Sequence, residues 1–258
     1  MKIKQTLLRL FSLEKMIGED IPNKERRVLV VNRPEILDFF PKNWVKPFQK
    51  NNVLYLIKMG IFYHLLGVSF MVLGSNIISE AIPNYESPQF PVSISLALSA
   101  GMFEEVIFFG IPFYLSGNPL IVLGTGLIWS VSHLFNTGMV SLQTLAYEGF
   151  FLSVPHIFFS LRTWVSGKGW FAICFHSAWN IIFLLMYCSL GFRPCNIFND
   201  FFDLINIILA FSSAVIVYFA YLNYVKKKNI NQFFYLLPVI VLVLGLLLLL
   251  REELTFYK

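Results

Sequence analysis

The chain has 258 residues, 57% of them hydrophobic and only 14% charged, with a mean hydropathy of +0.67. A soluble domain of this length keeps roughly a quarter of its residues charged, so the composition excludes ordinary soluble classes and predicts a polytopic membrane protein. The net charge of +5 does not imply nucleic acid. The cations gather in the N-terminal arm and at helix ends, with no interleaved aromatic–basic strip, which is the pattern of topology signals.

Residues 1–52 form a basic cytoplasmic arm that holds Lys2, Lys4, Arg9, Lys24, Arg26 and Arg27 among others. Its first apolar residues are interrupted by Lys4, Gln5 and Arg9, so it lacks the uninterrupted apolar core of a signal peptide. A short interfacial helix with a basic face and a loosely ordered arm both remain open. Seven apolar segments follow, at roughly 53–74, 91–115, 119–137, 141–160, 169–190, 201–225 and 233–250, each long enough to approach or cross a hydrocarbon core of about 30 Å. The fold expected is an all-α transmembrane bundle of about seven spans, multi-pass in the plasma membrane. Its membrane domain runs over 53–250, with a functional core at 91–190 and a short tail at 251–258.

Loop charges set the orientation. With the N-terminus cytoplasmic, the inner loops 116–118, 161–168 and 226–232 carry Arg162, Lys168, Lys226, Lys227 and Lys228. The outer loops 75–90, 138–140 and 191–200 carry only Arg193. Of the three cysteines, Cys188 and Cys195 flank one short outer loop and could pair there. Their spacing with Cys174 is not that of a metal site, and unpaired thiols are expected.

Inside the spans stand residues that are costly in lipid, about 2.5–3.5 kcal/mol for a charged side chain at a helix centre. Glu104 and Glu105 are adjacent in the second segment and point about 100° apart. His133 lies in the third segment. His176 and Asn180, four apart on one helix face, lie in the fifth. At about 1.5 Å per residue from the cytoplasmic ends, these five fall roughly 10–21 Å deep, in one thick layer. His64 and His156 read as packing histidines, and Glu148 as an intramembrane acid with no partner at informative spacing. The set suits hydrolysis by activated water: a desolvated Glu takes a proton, and Asn donates to an oxyanion. His133 and His176 with a Glu could instead hold a divalent ion such as zinc.

The order of these motifs resembles the CPBP intramembrane proteases, which comprise CAAX-type prenyl endopeptidases and bacteriocin-processing or Abi proteins. That pattern is EExxxR, then an aromatic residue four before a His, then HxxxN. Here it reads Glu104-Glu105 through Phe109, Trp129 through His133, and His176 through Asn180. The resemblance spans about residues 95–185. It implies Glu104 as the residue that activates water, with Glu105 beside it. His133 and His176 would bind or polarise the water or a metal, and Asn180 would steady the oxyanion. The substrate implied is a peptide or prenylated protein at the lipid bilayer. Phe109 stands where the pattern has Arg, and Trp129 where it usually has Phe. Two other classes fit the same residues: a proton- or cation-coupled transporter, although no internal repeat is visible, and a non-catalytic immunity-type membrane protein.

Overall fold

Apolar runs separated by Pro, Gly and charged residues give seven long helices among the described residues of the computed structural model. They are α1 Val53–Ala81, α2 Ile94–Ser116, α3 Pro119–Ser132, α4 Tyr147–Val165, α5 Gly169–Ser189, α6 Phe201–Tyr224 and α7 Phe233–Phe256. The structure describes residues 35–48, 52–86, 93–136, 141–190, 197, 201–224, 226, 228–231 and 233–256, and among these there is no strand. The expected arm helix within residues 1–34 and the cation Arg193 lie outside the described residues. By length and composition α1, α2, α5 and α6 can each cross a bilayer, while α3 and α7 contribute shorter apolar stretches at 119–135 and 233–248.

Local chemistry sets the helix ends. Ser93 caps α2 by accepting from the Leu96 amide, and Asn118 caps α3 by accepting from Leu120, with Pro119 as its first helical residue. Pro there costs nothing, because its missing N–H has no intrahelical partner. Gly117, at φ 60°, closes α2. The helix expected over 141–160 starts later. Leu142–Thr144 form one 3-10 turn closed by a Ser141–Thr144 capping box, and α4 begins at Tyr147. Ser and Thr favour caps over helix interiors, which explains the shift. Glu148 therefore sits in the first turn of α4, where a carboxylate complements the helix dipole.

The middle of α2 is not α-helical. Val106–Gly110 form a π turn immediately after Glu105. Pro112 lacks the N–H that would bond the Phe108 carbonyl, and its ring crowds that carbonyl. The Thr125 hydroxyl of α3 donates to Phe108 O instead, at 2.5 Å.

The residues divide into two compact units. The first holds Met1–Ala81, Phe108–His133 and Tyr147–Phe171; the second holds Ile82–Ile107, Leu134–Ala146 and Ala172–Lys258.

In the first unit α4 packs along α1 and α3. Gly67 lies where a Cβ would come 2.6 Å from Leu152 O, a close approach that small residues permit between membrane helices. Arg162 was expected in an aqueous inner loop, but α4 continues to Val165 and buries it completely. Its Nε donates to Lys46 O at 2.7 Å, and Nη1 to Asp38 O and the Tyr63 hydroxyl at 3.0 Å each. The Phe48 ring lies 4.7 Å from the guanidinium, and Tyr55 donates its hydroxyl proton to Asp38. This buried cation thus seats residues 38–48 on α1 and α4.

In the second unit the first half of α2 packs on α6, and α6 on α7. Buried Asp203, in the first turn of α6, accepts from Ser93 and Ser95 at 2.6 and 2.8 Å. Cys188 is disulfide-bonded, against the expectation of unpaired thiols, whereas Cys174 is free. Cys195, the remaining thiol, lies outside the described residues.

Candidate active site

Four of the five expected site residues lie in the second unit, on α2 and α5. The two helices meet at Gly101, where a Cβ would stand 2.7 Å from the Ser177 amide nitrogen. Ser177 donates to Leu98 O at 2.9 Å, and the Asn180 amide to Ala97 O at 3.3 Å. These bonds hold one turn of α5 against one turn of α2, which brings His176 beside the carboxylates.

His176 lies between them. Its Nδ1 is 3.3 Å from Glu105 Oε1, and its Nε2 is 3.7 Å from Glu104 Oε2. Glu105 is fully buried and His176 nearly so, while the Glu104 side chain keeps 24% of its surface. A neutral imidazole with its proton on Nδ1 donates to Glu105 and turns a lone pair on Nε2 toward Glu104. The two adjacent carboxylates are therefore unequal. Glu105 orients the ring from a fully buried position, and Glu104 keeps part of its side chain exposed. Asn180 spends one amide hydrogen on Ala97 O and retains a second donor.

His133 belongs to the first unit, at the end of α3 and partly exposed. Its Nδ1 lies 2.9 Å from Trp129 O. A carbonyl only accepts, so Nδ1 carries the proton and Nε2 keeps the lone pair.

The two histidines expected to serve packing are more specifically placed than that reading requires. His64 Nδ1 lies 2.8 Å from Gly60 O, His64 Nε2 lies 2.9 Å from His156 Nδ1, and His156 Nε2 lies 2.9 Å from Ser160 Oγ. All three side chains are buried. Two of these contacts, His64 with Gly60 and His156 with Ser160, join residues four apart on one helix; the His64–His156 contact, 92 residues apart, has no such local signal. Phe109 also differs from expectation. It falls within the π turn, so its direction no longer follows the α spacing from Glu105. Its buried ring meets Trp129 edge-on, with centroids 5.5 Å apart. The two residues that depart from the family pattern thus touch each other.

Residue types that ligate metals are buried in both units: Glu105 and His176 in the second, His156 in the first.

Residues 86–182 match the family model described as Type II CAAX prenyl endopeptidase Rce1-like. No curated protein and no solved structure matches the chain significantly. The matched stretch is a little over a third of the chain and contains all three motifs. The matched segment overlaps the stretch that carries the CPBP-like motifs, and the model it matches is of the CAAX prenyl endopeptidase kind, a family of membrane proteases.

Proposed function

We propose that the chain is an intramembrane endopeptidase that hydrolyses a peptide bond near the cytoplasmic side of the plasma membrane, with Glu104 as the base. The observation that carries this reading is the His176 imidazole set between a buried and a partly exposed carboxylate, 3.3 Å from Glu105 and 3.7 Å from Glu104. Glu104 takes a proton from water as the oxygen attacks the substrate carbonyl carbon. The C–N bond then breaks, and Glu104 returns the proton to the leaving amine. His176 Nε2 accepts a hydrogen bond from the same water, and Glu105 stabilises the partial positive charge that the ring then carries, the proton itself passing to Glu104. The free Asn180 donor meets the oxyanion. His133, with its Nε2 lone pair available, is assigned by its motif to the same task.

A divalent ion such as zinc fits this donor set. Glu105, 3.3 Å from Nδ1, holds the ring proton there and leaves Nε2 as a ligating atom, as outer partners of ligating histidines commonly do. His176 Nε2 and, as the motifs imply, His133 would hold the ion, while Glu104 stays the base. When bound, such an ion would acidify the attacking water.

Full-length protein in lipid nanodiscs should cleave a farnesylated CAAX-type peptide or its unprenylated counterpart, and Glu104→Gln should abolish the cleavage. Wild-type turnover in Glu104→Gln, or no cleavage of either peptide by the wild type, would overturn the proposal.

A further inference from the structure

The seat of His133 is built partly from residues that have so far been given no role. One side is Trp129, whose ring centroid lies 4.7 Å from that of His133 at 87°, while its carbonyl holds Nδ1. The opposite side is Gly149 of α4, where a Cβ would stand 3.4 Å from His133 Cβ and 3.5 Å from Cδ2. A methyl group just fits there, and anything longer would push the imidazole. Trp129 is itself held from behind. Phe109 packs edge-on against it and is fully buried. Gly126 makes room for the Phe109 ring, since a Cβ there would come 2.8 Å from Phe109 Cε1. His156 closes the remaining side of Trp129, with centroids 5.1 Å apart.

We propose that Phe109 and Gly149 are positioning residues for His133, Phe109 by bracing Trp129 and Gly149 by leaving the imidazole only one place to stand. The inference rests on the reading that His133 takes part in peptide hydrolysis. Buried aromatic surfaces suit this task because they interlock, and they lack the rotamer freedom of a long cationic side chain. Phe109 and Trp129 then act as one pair: the aromatic residue at 109 is the brace for the larger ring at 129.

The test uses the full-length protein in nanodiscs, with two readings taken per folded molecule. One is kcat and KM on a quenched peptide. The other is the rate at which diethyl pyrocarbonate modifies His133, followed by peptide mass spectrometry. Phe109→Ala opens space behind Trp129, and should lower kcat about tenfold or more while KM stays within about twofold, the signature of lost orientation. It should also change the His133 modification rate at least about threefold. Phe109→Leu, which refills most of the space, should return both readings to within about threefold of wild type. Gly149→Leu should reproduce the Ala result from the opposite side. If Phe109→Ala does not fold, Phe109→Val is read in its place. Unchanged kcat and an unchanged modification rate in the smaller variant would overturn the inference, as would Phe109→Leu proving as damaging as Ala. A wild type that cleaves no peptide defeats the functional reading alone. The modification rates then decide the seat, with a threefold change supporting it and none refuting it.

Discussion

Replacing Glu105 by Gln separates the roles assigned to the two adjacent carboxylates. Glu105 is fully buried and lies 3.3 Å from His176 Nδ1. Unit charges at that separation interact by about 5 kcal/mol at an effective dielectric of roughly 20, the ceiling on what Glu105 can give a protonated imidazole. Gln keeps the volume and an acceptor oxygen, so the hydrogen bond survives and only the charge is lost. A loss of about 1.4–2.8 kcal/mol of transition-state stabilisation follows, ten- to hundredfold in kcat. Glu105→Ala should additionally cost roughly 1–3 kcal/mol of stability, because it strips a buried nitrogen of its partner. Steady-state kinetics on a quenched peptide, with thermal unfolding run in parallel, would read both numbers. A Glu105→Gln enzyme within twofold of wild type, or one as dead as Glu104→Gln, would refute the division of labour.

Three other outcomes are expected. Arg162→Met should destabilise the protein by about 3–5 kcal/mol, since it removes one partner of a buried charge network and leaves Lys46 O and Asp38 O without their donor; a melting shift no larger than that of a surface substitution would contradict this. Gly101→Val should force α5 away from α2 and cost both stability, about 1–3 kcal/mol, and peptidase activity; an active, fully stable variant would mean that the 2.7 Å approach to Ser177 is not needed. With Cys174 replaced by Ser, a cysteine at position 86 should react with an impermeant thiol reagent from outside and one at position 228 only after permeabilisation. Equal protection of both would overturn the seven-span topology.

The pieces of this architecture that follow from periodicity and cost were legible in the sequence. Four helices announce themselves as long apolar runs, and Glu104, Glu105 and His176 stood out because lipid makes such residues expensive. Their meeting was also foreseeable, because the estimated depths agreed within the thickness of a layer. What escaped were effects of tertiary neighbours. Arg162 read as a loop cation because nothing local shows that α4 runs on to Val165, or that Asp38, more than a hundred residues earlier, waits for it. The His64–His156 bond joins residues 92 apart. Pro112 hinted at a helix break, because it strips the Phe108 carbonyl of its donor, and the α register does break just after Glu105. The departure at Phe109 takes a charge out of the family pattern, and the structure gives its ring an aromatic neighbour in the other departure, Trp129.

The bond chain through His64 has a spectroscopic consequence. Gly60 O can only accept, so in the neutral pair each imidazole carries its hydrogen on Nδ1, and Ser160 donates to the last free lone pair. Every hydrogen in the series thus points toward Gly60 O, and the series cannot be reversed, because that carbonyl has no hydrogen to give. Because the chain is sealed from solvent, these N–H hydrogens leave only when α1 and α4 part. In deuterated solvent they are a clock for that opening, visible as slowly decaying imidazole signals while the partly exposed His133 exchanges faster.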